Sequence, residues 1–518
     1  MKEKQFKIVV YIVILIAMVV AFIFCMQKQG MHYDENYSYY STNVTYGLYP
    51  TDGEWKSVEE IKNEFKALPG DSLNFSGVKL SQSYDVHPPL YYYILRIVCW
   101  FTKDTFSMWQ GLAINLVFYL ICLILLWKIS DLVSKNNQFI TLFTIILFAL
   151  SPGYLSTITF IRMYVMLTAA CFYVLYIGLK AVNDRKYTAK NLFIPTFIAT
   201  CLGFLTHYYF AVFMFWVAAY LCIYLFVNKE TRKKAFIYAG CVVAGMGAAI
   251  AYYPACLAHI FGGYRGLEAT EAFTDVSNTF ERIDFFTQML NDFTFSGSFF
   301  ALLIIVLLIY LFMRFKKKSG EALAFGYNRG VVGMLMLVTI MFFLTVCKTG
   351  MIPSNPQEAL RYPCPAYGLI ILLIIMGVVN IKKWQISTAI LSLAIIFQIV
   401  GLCQGKVFFI YPEKISDYEF SDKHKDSEIV YLYNPNNEWM VWNDSLELMN
   451  YKDIFFMNYL SKDDIKDERL LNSTSMYVYA CRADESQKLI QKLVDADENF
   501  NEYEKVEERT YVDIYELK

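Results

Sequence analysis

"PPLYYYILRIVCWFT", residues 88–102, decides how the rest of the chain is threaded. It is apolar enough to pass for a membrane span, yet at 1.5 Å per residue it reaches only about 22 Å and holds Arg96 in its middle. Longer apolar runs surround it, near 8–26, 111–128, 138–153, 164–181, 191–206, 208–227, 235–255, 298–314, 330–347, 364–380 and 385–404. Runs of about 17–25 apolar residues suffice to cross a hydrocarbon core, so these eleven are the predicted spans. If 88–102 crossed as well, every later loop would change sides. Lysine and arginine accumulate in short cytoplasmic loops, and they make the choice. With the N-terminus inside and 88–102 not crossing, the inner segments carry Lys2, Lys4 and Lys7; Lys128 and Lys135; Lys180, Arg185, Lys186 and Lys190; Lys229, Arg232, Lys233 and Lys234; Arg314, Lys316, Lys317, Lys318 and Arg329; and Lys382 and Lys383. The short outer loops after the first carry only Arg162, Arg265, Arg282, Lys348 and Arg361. Residues 88–102 therefore read as an interfacial helix on the outer surface, opened by Pro88 and Pro89 where a helix start tolerates proline.

The bulk composition agrees with a chain built for a bilayer. It is 56% hydrophobic and only 18% charged over 518 residues, which points away from a soluble enzyme. A net charge of −1 gives no footprint for nucleic acid. Cys122, Cys171, Cys201, Cys222 and Cys241 lie inside apolar runs without CxxC spacing and read as small core hydrophobes. The first apolar run is near the length of a span and is followed by no small-x-small cleavage site, so it reads as an uncleaved anchor.

The predicted architecture is an α-helical polytopic membrane protein, residues 1–404, followed by a small extracytoplasmic α/β domain, residues 405–518. Within the membrane part, 27–110 and 256–297 form large outer loops. An amphipathic helix is expected over 54–67, "EWKSVEEIKNEFKA", with Trp55, Val58, Ile61 and Phe65 on one face. Beyond 405, "EIVYLYN", "MYVYA" and "YVDIYELK" read as strands and "DESQKLIQKLVDA" as a helix with Leu489 and Leu493 inward.

With topology assigned, the sparse polar residues sort onto one face. Asp34 and Glu35 open the first outer loop in "GMHYDENYSYY" (30–40), and His87 follows in "YDVHPPLYYY" (84–93). Arg162 and Tyr164 lie in the next outer turn, His207 in "THYYF" (206–210), and Lys348, Arg361 and Tyr362 in the last outer loop. Taken singly, an acidic pair can be a solvated turn and His207 an ordinary loop residue. Arg162 is harder to dismiss, because an arginine near hydrocarbon costs about 2.5–3.5 kcal/mol at the centre and less at the edge. An anionic partner offsets that cost. One carboxylate base, several cations and a membrane-level cavity suit a phosphate-linked lipid, with a carboxylate taking the proton of an acceptor hydroxyl. Neither a P-loop nor a dinucleotide fingerprint is present.

"YDENYS", "HPPLYYY", "SP" followed by "RMYVM", "THYYF" and "RYPCPAY" occur in the order seen in bacterial membrane glycosyltransferases of the glycosyltransferase-C superfamily. Over roughly residues 1–380 the chain resembles protein O-mannosyltransferases and the aminoarabinose transferase of lipid A. The resemblance implies an inverting enzyme that moves a sugar from a polyprenyl-phosphate donor to a hydroxyl acceptor at the outer membrane face. It implies Asp34 as general base and Glu35 as a residue shaping the site or contacting sugar or acceptor. His87 would border the donor headgroup, Arg162 and Arg361 would meet phosphate with Lys348 as a further candidate, and Tyr164, His207 and Tyr362 would pack nearby. No cofactor is demanded, and a divalent metal is left open by spacing and resemblance alike. A flippase or transporter of lipid-linked glycans would also want an arginine-lined cavity, but the chain shows no inverted repeat or matched broken helices.

Overall fold

The computed structural model describes residues 3–45, 47–317, 327–381, 383–461, 467–496 and 499–518. Of the basic residues read above as inner, Lys2, Lys318 and Lys382 lie outside the described residues. Each of the eleven predicted spans coincides with helix. Among the described residues seven helices are long and apolar enough to cross by themselves, and up to nine if each of two bent pairs is one span. The apolar helices Ala189–Phe204 and Cys364–Val379, which account for the other two predicted spans, are shorter.

Local sequence explains the bends. Gln138–Ala149 and Pro152–Thr159 meet at 55°. Pro152 cannot supply a backbone N–H to the preceding helix, and Ser151 starts a new one by accepting the Tyr154 N–H. The second pair, Thr279–Thr294 and Phe299–Phe315, turns through 100°, with Ser296 and Gly297 both at positive φ in the break. The first helix, Glu3–Met26, buries Phe6, Val10, Ile14, Ala17, Ala21 and Cys25. That spacing of three or four makes one stripe, which packs on Gln138–Ala149.

By contact density the chain forms two compact units. The first gathers Met1–Gln27, Lys79–Tyr91 and Gly111–Phe408; the second gathers Lys28–Val78, Tyr92–Gln110 and Phe409–Lys518. Most of the first large loop thus shares a unit with the C-terminal segment. A six-stranded sheet shows why. Its order is β1-β3-β2-β4-β6-β5, with β1 Glu54–Ser57, β2 Glu428–Tyr433, β3 Asp453–Asn458, β4 Met476–Cys481, β5 Tyr503–Glu508 and β6 Val512–Leu517. The loop therefore donates β1, antiparallel to β3, while β3, β2 and β4 are parallel.

The three strands and the helix read from the C-terminal sequence are present as β2, β4, β6 and Asp484–Ala496. The helix expected over 54–67 is corrected. Ser57 caps a short helix, Val58–Asn63, through a reciprocal box with Glu60, and the four residues before it pair as β1 instead. Ile61 and Phe65 are still fully buried.

Residues 88–102 form the helix Leu90–Phe101. Arg96 is almost fully buried, and its guanidinium donates to Asn43 Oδ1 at 2.9 Å, Asp71 Oδ2 at 3.2 Å and the carbonyls of Ser72 and Leu73 at 2.6 and 3.3 Å. Those partners all come from the first large loop. A helix surrounded by lipid has no such acceptors to offer an arginine.

Candidate active site

Apart from Lys348, the predicted site residues fall into two groups, each within one compact unit. The first is the acidic turn. Its helix, Tyr33–Asn43, is capped by His32, whose Nδ1 accepts the Asp34 backbone N–H at 3.1 Å. Glu35 completes the capping box, accepting the His32 N–H at 2.7 Å. Its carboxylate also lies 3.0 Å from Lys28 Nζ, and both side chains are fully buried. Lys28 donates in addition to the Phe409 carbonyl at 2.6 Å. Glu35 has therefore committed its charge to holding the turn. Asp34, one position earlier, keeps 27% of its side chain exposed and sits 3.7 Å from His32 Nδ1. Because that nitrogen accepts a backbone N–H, the neutral His32 ring carries its proton on Nε2. Of the two adjacent carboxylates, Glu35 is fully buried and Asp34 is partly exposed.

The second group is cationic and aromatic and belongs to the helical unit. His87 Nδ1 lies 2.9 Å from Asp85 Oδ2, and Nη2 of Arg162 lies 3.2 Å from the same ring nitrogen. Burial would raise the Asp85 pKa, but His87 and Arg162 together hold it below the usual aspartate value. Asp85 is thus the carboxylate that faces His87, with the buried Arg162 on the same ring nitrogen. It was missed from sequence, although its position two residues before His87 in "YDVHPP" was a usable signal. His207 packs at the centre, with ring centroids 5.8 Å from His87 and 5.3 Å from Tyr164. The Arg361 guanidinium stands 5.1 Å from the Phe160 ring, 5.2 Å from Tyr362 and 6.0 Å from Tyr164. Glu358 Oε2 is 3.9 Å from Arg361. Asn115, buried, donates to the carbonyls of Ile158 and Phe160 at 3.0 and 2.7 Å, which braces the irregular turn that presents Arg162.

Burial, followed by the nearby charges of His87, Arg162 and Arg361, pushes the His207 pKa well below the ordinary imidazole value of 6.5. His207 is therefore neutral at physiological pH. The sign of the linkage follows: a group that folds neutral contributes fully above its unfolded pKa and loses that contribution as pH falls below about 6.5. Thermal stability should decline with acid in that window. His207→Asn should flatten the decline in a thermal-shift series from pH 7.5 to 5.0, and an unchanged slope would remove His207 as its source.

Lys348 stands apart from this cluster. Its ammonium donates to the Asp275 carbonyl at 2.8 Å, Asn278 Oδ1 at 2.6 Å and Thr279 Oγ1 at 3.1 Å, so it ties the 256–297 loop to a helix end. A histidine has a similar role: His259 Nε2 lies 3.2 Å from the Ser83 carbonyl and Nδ1 lies 2.8 Å from the Tyr208 hydroxyl. Since a carbonyl only accepts, Nε2 carries the proton and Tyr208 donates to Nδ1. Among the described residues no group of three or more His, Cys, Asp or Glu side chains is placed to hold a metal.

Residues 86–253 match the family model described as dolichyl-phosphate-mannose-protein mannosyltransferase. No curated protein matches the chain. Among solved structures, ArnT from Cupriavidus metallidurans bound to undecaprenyl phosphate is 10% identical, with a TM-score of 0.53 over 98% of this chain and 97% of that one. Its apo form matches to the same extent. The archaeal oligosaccharyltransferase AglB from Archaeoglobus fulgidus, in complex with an inhibitory peptide and a dolichol-phosphate, is also 10% identical, with a TM-score of 0.45 over 95% of this chain and 71% of that one. The resemblance carried by the motifs extends to the fold: this is a multi-pass membrane protein with the architecture of ArnT.

Proposed function

We propose that this chain, whose fold is that of the glycosyltransferase-C superfamily, transfers a sugar from a polyprenyl-phosphate donor to a hydroxyl acceptor on the outer side of the membrane. The observation that carries the reading is the gathering of two buried guanidiniums, Arg162 and Arg361, around His207 in an otherwise apolar helical unit. A phosphate attached to a lipid supplies the anion such a cluster favours, and the tail suits the helices. The acceptor oxygen attacks the anomeric carbon as the bond from that carbon to the phosphate oxygen breaks. Its proton passes to the Asp34 carboxylate, and the bonding pair leaves with the phosphate, whose charge Arg162 and Arg361 stabilise. One in-line displacement inverts the anomeric centre. Glu35, Lys28 and His32 hold the turn that carries Asp34. His87, Tyr164, His207 and Tyr362 shape the donor side. The Lys/Arg distribution supports a cytoplasmic N-terminus and an extracytoplasmic C-terminal domain.

The test is release of polyprenyl phosphate by purified protein given a polyprenyl-phosphate sugar, with and without a hydroxyl acceptor. Acceptor-dependent release is expected. Movement of the intact lipid across vesicles without cleavage would establish a transporter instead. Arg162→Ala removes a charge-assisted contact of the kind worth about 1.5–3 kcal/mol, so kcat/KM for the donor should fall by about 10- to 100-fold. Unchanged donor kinetics would take Arg162 out of the site.

A further inference from the structure

The sheet in the C-terminal unit has a feature that the transfer reaction above does not use. Its parallel strands run in the order β3-β2-β4, and the connections leaving β2 and β4 go to opposite faces. The segment after β2 lies on the face of Tyr431 and Tyr479, whose hydroxyls bond to its Asp444 and Glu447 at 2.8 and 2.7 Å. The helix after β4 packs Leu489 and Leu493 on the other face, against Val430, Leu432 and Val478. Two neighbouring parallel strands whose connections diverge leave a crevice outside their carboxyl ends, where open α/β sheets bind ligands.

The residues at that point suit a particular chemistry. The loop leaving β2 reads "NPNNEW", residues 434–439. Asn434 Oδ1 accepts the Asn436 N–H at 2.9 Å, and Asn437 Oδ1 accepts the Trp439 indole N–H at 3.3 Å, so each amide oxygen has a partner within the loop. Trp439 is half-buried and meets Tyr511 edge-on, ring centroids 5.6 Å apart. Tyr511 lies in the β5–β6 turn, next to Val512, which pairs with Cys481 at the end of β4, so this aromatic pair links the loop leaving β2 to the turn beside the end of β4. Trp439 also meets Tyr33, ring centroids 5.1 Å apart, and Tyr33 directly precedes Asp34. The charge nearby is negative. Burial, with Asp52 and Glu438 adding to it, raises the Tyr433 pKa to about 12, and the adjacent Arg482 is already paired with Asp513 and Glu508.

We propose that Tyr33, Trp439 and Tyr511, with the amides of Asn434 and Asn437, form an acceptor subsite for a neutral, hydroxyl-rich glycan beside Asp34. Partly exposed aromatic rings give an apolar surface for a sugar ring, and amides bond its hydroxyls. The acidic surroundings disfavour a phosphorylated acceptor. An extended peptide is disfavoured too, because β2 is paired on both sides and offers no open strand for main-chain pairing. The assignment of Asp34's neighbour as an acceptor subsite rests on the transferase reading, but binding can be measured without turnover.

The experiment is saturation-transfer NMR on the full-length protein in lipid nanodiscs, with neutral hexose oligosaccharides of three to six units, the same sugars phosphorylated, and a serine/threonine peptide as probes. The neutral oligosaccharide should show transfer. Trp439→Ala should weaken it by about tenfold or more, the loss expected on truncating a central aromatic anchor, while Trp439→Phe should retain most of it. Thermal unfolding of each variant separates lost binding from lost fold. Transfer to the peptide or the phosphorylated sugar alone, or equal transfer in Trp439→Ala and wild type, overturns the subsite. If the oligosaccharide binds as expected but no acceptor supports polyprenyl phosphate release, the subsite stands and the transferase reading fails.

Discussion

Asp34→Asn should reduce sugar transfer by about 10²- to 10⁴-fold, the range over which a positioned general base contributes, while donor affinity stays within about twofold of wild type because the proposed donor contacts are made by other residues. The substitution is nearly isosteric. It leaves the helix start intact, because the cap uses the Asp34 backbone N–H and the His32 ring. It does remove the only member of the acid pair with substantial exposure, since Glu35 is fully buried. Measured turnover with saturating acceptor, alongside donor binding by the inactive variant, checks the assignment. Wild-type turnover in Asp34→Asn would mean that another group takes the acceptor proton.

Lys28→Met should cost about 3–5 kcal/mol of stability, because it leaves the buried Glu35 carboxylate without the cation that meets it. Both side chains are fully buried and 3.0 Å apart. The loss should therefore exceed what a surface ion pair gives by several-fold. Adding Glu35→Gln should recover most of it: a neutral amide still accepts the His32 N–H, and no charge then remains to be desolvated. Chemical unfolding of the single and double variants in detergent measures the coupling. Additive losses would show that the pair is not the coupled unit its geometry describes.

The helical layout was legible from residue order because the bilayer leaves few choices. A run of apolar residues long enough to cross must become a helix, and the predicted spans duly coincide with helices. Residues 88–102 form a helix too, Leu90–Phe101. Arg96 and the Lys/Arg bias set it apart from the predicted spans, and the helix there meets its arginine with loop oxygens. In the C-terminal segment, alternating hydrophobics marked β2, β4 and β6. β1 escaped because "EWKS" runs straight into a capping box, and the periodicity of the short helix that follows was read back across it. A strand of four residues has no pattern of its own. It is made by the partner strand, here about 400 positions away, whose backbone groups it satisfies.

The candidate site divides along the same line. The chemistry-bearing residue types, Asp34, Glu35, His87, Arg162, His207 and Arg361, could be picked out from their scarcity in an apolar chain. What each of them does could not. Adjacent in sequence, Asp34 and Glu35 carry the same charge, and nothing local separates them. Lys28 and the His32 cap bury one and leave the other partly open. Arg162 suggested an anion to come, yet part of its charge is already met by Asp85. Lys348 suggested phosphate, yet three loop oxygens hold it. Residue identity and hydropathy dictate which segments leave water and which charges are costly to bury. Only the folded chain decides which partner compensates each charge, because desolvation and Coulomb energies depend on distances between residues far apart in sequence.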